Sequence, residues 1–235
     1  MTLKQLFSVV PALMRYNMKV IFAGKFFWYV LAAFGFYAFF MFNLAWQEME
    51  INEGAIFSIL YFPGFLLVFY PAVFGIQNDE DTRILEILFG VPNYRYKVWG
   101  VRLLMIYLIV YVILVLFAFV GTYLLYPVDE FEMAAQVMFP VFFFGNLAFM
   151  LSTILRSGNG TAVVVIIIGI LLMIFTEFVS ETFWDIFINP YDMPRDMHPF
   201  IWESTILKSR IFLTVAGCVW LMIGSLNLQK REKFV

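Results

Sequence analysis

The chain has 235 residues, of which 63% are hydrophobic and only 14% charged, and its mean hydropathy is +0.88. A soluble domain carries about 25% charged residues, so this composition excludes a water-solvated globule and points to lipid as the solvent. The single cysteine, Cys218, sits in an apolar run and excludes a disulfide framework or a thiolate metal site, while the net charge of −2 gives no sign of a nucleic-acid partner.

In chain order, residues 1–24 do not read as a signal peptide, because Lys4, Pro11, Arg15 and Lys19 break the apolar stretches. From Pro11 onward, Leu13, Met14, Tyr16, Val20 and Ile21 face Arg15, Asn17 and Lys19. That pattern predicts a basic amphipathic helix lying on the membrane surface. Apolar runs of about 20 residues, long enough to cross a bilayer, then predict six spans. They cover residues 26–46, 55–76, 103–125, 133–155, 161–178 and 211–228. The second contains Pro63 and Pro71, tolerated in lipid where neighbouring groups satisfy the freed carbonyls. An acidic turn, Pro127–Glu130, precedes the fourth span, and a Gly-rich turn, Arg156–Gly160, joins the fourth to the fifth.

Residues 180–205 break the pattern with Phe183, Trp184, Phe187, three prolines and several acids. The segment is too polar to span and too aromatic for a solvated linker. It predicts short re-entrant helices at the interface, between spans five and six. Met193, Met197 and His198 are soft-metal ligand types, but Asp196 and Pro199 interrupt the group and packing is the better reading. No metal site is expected.

Orientation follows from the basic residues. Twelve of fifteen Lys and Arg fall on one side, in the termini and in the loops after spans two and four. Twelve of seventeen acids fall on the other. Both termini and the loop 78–102 are therefore expected in the cytoplasm.

That loop carries eight charges. Asn78 is a candidate N-cap, and Asp79, Glu80 and Asp81 would complement the positive end of a helix. Asp79 and Arg83 stand four apart, and Ile84, Leu85, Ile87 and Leu88 form an apolar side against Asp79, Arg83 and Glu86. Gly90 and Pro92 would end the helix. The expectation is a discrete amphipathic helix over residues 79–89, rigid enough to act as a lever on spans two and three. The alternative is a structured loop that only joins them.

The order of an acidic cluster, Leu85-Glu86, two apolar residues, Gly90, Pro92, a Tyr/Arg turn, then Gly100 and Arg102, resembles the cytoplasmic loop of ABC-2 type transporter permeases. These are the membrane subunits of ATP-binding cassette exporters. The basic N-terminal helix, the six spans and the segment between spans five and six extend the resemblance over most of the chain. Arg83-Ile84 stands where the family often has Gly-Thr.

The resemblance implies an all-α membrane fold of the ABC-2, type V exporter kind, in a bacterial inner membrane. It implies that Asp79, Glu80, Arg83, Leu85, Glu86 and Leu88 couple to a separate ABC ATPase subunit, which carries the ATP and Mg. A second permease subunit, identical or related, would complete the assembly among membrane lipids. The cargo class implied is lipophilic or amphipathic: a drug, lipid, peptide or glycoconjugate.

The residues themselves add that the chain lacks GxxxxGK[ST] and HExxH. No cofactor or catalytic site is therefore expected within it. Three polar or aromatic positions are candidates for a gate or pathway: Asn146 in span four, Glu177 at the end of span five, and Trp184. Asn146 could equally serve helix packing, and Glu177 could be an interfacial acid facing Lys208 or Arg210. Two other function classes remain open. One is a non-transporting membrane scaffold or sensor that docks a partner through the same loop. The other is an intramembrane enzyme, disfavoured because the spans hold no paired acids, Ser–His set or metal ligands.

Overall fold

Among the described residues six apolar helices account for the fold, and several of their boundaries have a local cause. In the computed structural model the described residues are 26–46, 51–81 and 95–228. The helices are α1 (Phe26–Trp46), α2 (Glu53–Asp81), α3 (Val101–Leu124), α4 (Glu130–Leu155), α5 (Gly158–Val179) and α6 (Pro199–Asn227). One turn of π-helix, Arg95–Gly100, leads into α3. All six are long and apolar enough to cross a membrane, and the described residues include no strand. Among the described residues the regular structure is therefore all helical, and the chain reads as a multi-pass integral membrane protein. The N-terminal amphipathic helix expected over residues 1–24 lies outside the described residues.

The caps follow the sequence signals. Asp129 opens α4 by accepting from the Glu132 amide at 2.9 Å, and Ser157 opens α5 by accepting from the Gly160 amide at 3.2 Å. Arg156 closes α4 in the left-handed region, at φ 53°. That one residue reverses the chain between α4 and α5. His198 opens α6, its Nδ1 accepting from the Phe200 amide, with Pro199 at the first helical position.

Three expectations differ from the structure. First, α2 does not end at Ile76 but continues through Asp81. Asn78 is thus inside a helix rather than capping a new one, and Asp79 belongs to the last turns of α2 rather than to a separate loop helix. The rest of the predicted loop helix, with Arg83, Leu85, Glu86 and Leu88, lies outside the described residues. Second, residues 180–198 form turns and contain no helix. Third, α6 begins at Pro199, twelve residues before the predicted span, so the helical part of the 180–205 segment is the start of α6.

Helix α4 is the centre of the body. It packs against α2, α3, α5 and α6, and its buried residues include Val137, Val141, Phe143, Phe144, Leu147, Ala148 and Phe149. Helix α6 comes close through Gly217, where a Cβ would stand 2.7 Å from the Phe142 ring, and Gly224, 2.9 Å from the Phe149 ring. Small residues that let helix backbones approach are the usual device in lipid. Helices α1 and α5 are peripheral. Only Phe26, Ala33, Tyr37 and Met41 of α1 and Gly158, Thr161 and Val165 of α5 are buried. Many of their other apolar side chains are exposed, including Phe27, Trp28 and Phe39 of α1 and Ile167, Leu171, Ile174 and Phe178 of α5, as they would be toward lipid.

Candidate functional site

Polar residues inside such a body are expensive unless paired, and they gather at the two ends. At one end, Arg102 Nη1 lies 2.7 Å from Asp79 Oδ2, with the two side chains 4% and 3% exposed. Each stands against its own helix dipole. The carboxylate is in the last turns of α2 and the guanidinium near the start of α3, so each needs a counter-charge. The guanidinium also covers the Trp99 ring at 4.4 Å. That ring lies against Gly75 of α2, where a Cβ would stand 3.4 Å away. Its other neighbour is Phe149 of α4, with ring centroids 5.7 Å apart.

These contacts form a buried knot joining α2, α3 and α4 on both sides of the 82–94 segment. Around it, Ser152 donates to the Val73 carbonyl at 2.9 Å, the Gly158 amide donates to Gln77, and Asn227 donates to the Thr153 carbonyl at 2.6 Å. The α2, α4, α5 and α6 ends are thereby tied together.

At the opposite end the centre is Arg210, 5% exposed on α6. Its Nε donates to Gln136 Oε1 of α4 at 2.9 Å, and Nη2 to the Ile188 carbonyl at 3.4 Å. Tyr61 of α2 donates to the same carbonyl at 3.2 Å. Asn189 donates to the Gly54 carbonyl at 3.0 Å, and Trp202 Nε1 to the Pro190 carbonyl at 3.1 Å. The helix-free segment 180–198 is therefore held inward by its Ile188 and Pro190 carbonyls and by the Asn189 side chain, with Ile186 and Ile188 buried. Asp185 accepts from the Phe187 amide at 2.9 Å. Burial holds its carboxyl above the ordinary range, an effect opposed by that amide and by Arg210.

Between the two ends, a cavity of 1070 Å³ is open on one side. Phe36 of α1 and a line of α5 residues from Val165 to Glu177 form its walls. Its floor is Ser58, Tyr61, Phe65 and Phe69 of α2 with Phe144 of α4, and Phe187 closes the Arg210 end. The aromatic floor is continuous: Phe65 meets Phe144 edge-on at 4.9 Å, and Phe187 lies 5.8 Å from Phe144. Such a cleft is the form small-molecule sites take, mostly apolar with a few polar groups.

Of the three pathway candidates, only Glu177 lines this cavity. Asn146 is fully buried on another face of α4, where its Nδ2 donates to its own helix at Phe142 O, 3.0 Å away. Its Oδ1 has no partner among the described residues. Trp184 is 52% exposed and packs edge-on against Phe212 at 5.1 Å, outside the cavity. Glu177 does not form an ion pair with Lys208 or Arg210; among the described residues the one salt bridge is Asp79–Arg102.

Sequence reasoning missed Tyr61, Phe65, Phe144, Phe187 and Gly169. The i, i+3, i+4, i+7 stripe of Ser58, Tyr61, Phe62 and Phe65 carried a signal, but it does not distinguish a cavity wall from a packed face. No group of three or more His, Cys, Asp or Glu side chains placed to hold a metal ion occurs among the described residues.

No protein-family model, curated protein or solved structure matches the chain.

Proposed function

We propose that this chain is the transmembrane permease subunit of an ATP-driven exporter of the ABC-2 kind, moving a lipophilic or amphipathic cargo. The observation that carries the reading is the Asp79–Arg102–Trp99 knot, because it joins the two helices that flank the 82–94 segment. A push on that segment reaches α2 and α3 together. Helix α2 is also the floor of the lateral cavity, so moving it changes the cavity's shape. Energy thus enters at the Arg102 end and acts on the cleft. The chain has no P-loop, which leaves hydrolysis to a separate ATPase subunit. Arg83, Leu85, Glu86 and Leu88 would contact that subunit, and a second permease subunit, identical or related, would complete the assembly.

The test is affinity purification from native membranes in mild detergent, followed by mass spectrometry. The expected result is co-purification of a P-loop ATPase, lost on combined Arg83→Ala and Glu86→Ala substitution while the permease stays monodisperse. A chain recovered without an ATPase, or an ATPase retained by the double variant, would sink the proposal and favour a scaffold.

A further inference from the structure

We infer that the cavity between α2, α4 and α5 binds an amphiphile with an aromatic or aliphatic body and a cationic head, the head seated at Glu177. The inference deepens the export reading by naming a cargo class, and it rests on that reading only for the step of transport.

Three features carry it. The cavity is polarised along its length. From Phe69, Ala148 and Val165 to Gly169 and Met173 its lining is apolar, whereas Ser58, Tyr61, Thr176, Glu177 and Ser180 gather toward the Arg210 end. Within that polar group Glu177 is the one formal charge on the lining among the described residues. It is exposed and has no ion-pair partner among the described residues. The nearby cation, Arg210, is not on the lining. It is buried behind Tyr61, bonded to Gln136 and the Ile188 carbonyl, with Asp185 within Coulombic reach. A cationic head therefore meets a free carboxylate, whereas an anionic head would meet repulsion.

The third feature is Gly169. It interrupts the run Val163–Phe175, and a Cβ built there meets nothing within 4 Å. Unlike Gly217 and Gly224, it serves no close helix approach. Its effect is to widen the cavity halfway along α5. Aromatic faces on the floor suit a flat or cationic body, and the open side admits it directly from the bilayer.

The experiment uses the purified permease in detergent without its ATPase, so its outcome is separate from the co-purification test above. Radiolabelled tetraphenylphosphonium is the probe, with tetraphenylborate as a matched anion of the same shape. Wild type is expected to bind the cation saturably at one per chain. Glu177→Gln should weaken this about three- to fivefold, the range of an exposed ion pair, and high salt should erase the difference. The same substitution should leave tetraphenylborate binding unchanged or tighter. Gly169→Leu fills open space, so the protein should remain monodisperse while binding of either probe falls more than tenfold. Unchanged cation affinity in Glu177→Gln, non-saturable uptake, or equal binding in wild type and monodisperse Gly169→Leu would overturn the inference. So would a cavity occluded by a second copy of the chain, detected as binding that appears only on dilution to monomer.

Discussion

Removing Arg102 from the knot that flanks the 82–94 segment isolates its contribution. In Arg102→Met the Asp79 carboxylate stays 3% exposed but loses a guanidinium nitrogen at 2.7 Å. At an effective dielectric of 20, two unit charges about 4 Å apart attract by about 4 kcal/mol. Breaking one partner of a buried pair costs about 3–5 kcal/mol. The lost stacking on Trp99, with its centroid 4.4 Å from the guanidinium, adds about 0.5–2 kcal/mol. The expected loss is therefore about 4 kcal/mol, measured by reversible unfolding in SDS titration of mixed micelles. Asp79→Leu with Arg102→Met removes both charges and should recover most of it, since a buried ion pair replaced by apolar groups is often neutral. The double-mutant cycle then gives a coupling above about 2 kcal/mol. A loss under about 1 kcal/mol in Arg102→Met, or a double variant as unstable as the sum of its singles, would refute the argument that the pair clamps α2 to α3.

At the other end, Arg210→Met removes the donor to Gln136 Oε1 at 2.9 Å and one of two donors to the Ile188 carbonyl, which keeps the Tyr61 hydroxyl at 3.2 Å. It should cost about 2–4 kcal/mol in the same titration; no measurable change would contradict it. Burial raises the Asp185 carboxyl above its unfolded value. Its contribution to stability is therefore fully present below about pH 4 and is lost as pH rises through the raised folded value. Asp185→Asn should flatten the stability profile across that window, and an unaltered profile would exclude this residue as the cause. Gly224→Leu should separate α6 from α4, because a Cβ meets the Phe149 ring at 2.9 Å and Met150 Cα at 3.2 Å. Overpacking costs about 1–3 kcal/mol or more. Gly169→Leu, with open space, should change stability by less than about 0.5 kcal/mol; equal effects at the two glycines would contradict the packing described.

The six spans were legible because each is a predominantly apolar run of about 20 residues free of Asp, Glu, Lys and Arg over most of its length, several of them bounded by turn signals such as Asp129 or Arg156–Ser157. What misled was polarity at the ends. Asn78 and Asp79 look like the start of a new helix, yet Gln77 just before them accepts from Gly158 and Asp79 pairs with Arg102. Those tertiary partners let α2 continue, and no local pattern reveals them. Ser209 and Arg210 misled the start of α6 in the same way. Their partners are Asp185 O on one side and Gln136 with Ile188 O on the other. The segment 180–205 was expected to form short re-entrant helices; residues 180–198 instead form turns, held through the Ile188 and Pro190 carbonyls and the Asn189 side chain. Glu177 was identifiable as a candidate because an acid at the end of an apolar run is conspicuous. The cavity beside it was not, since it depends on how α5 is set against α2 and α4.

The central claim is that work delivered at the 82–94 segment reshapes the cleft through α2. Spin labels at Phe62→Cys of α2 and Ile170→Cys of α5 both sit on the cavity lining, and Cys218→Ser removes the native thiol. Pulsed dipolar spectroscopy of the permease with its co-purified ATPase then reads the span of the cleft directly. The account predicts that adding ATP and Mg shifts the distance distribution, and that Arg102→Met abolishes the shift while the ATPase remains bound. An unchanged distribution on ATP addition, or an equal shift in Arg102→Met, would contradict it.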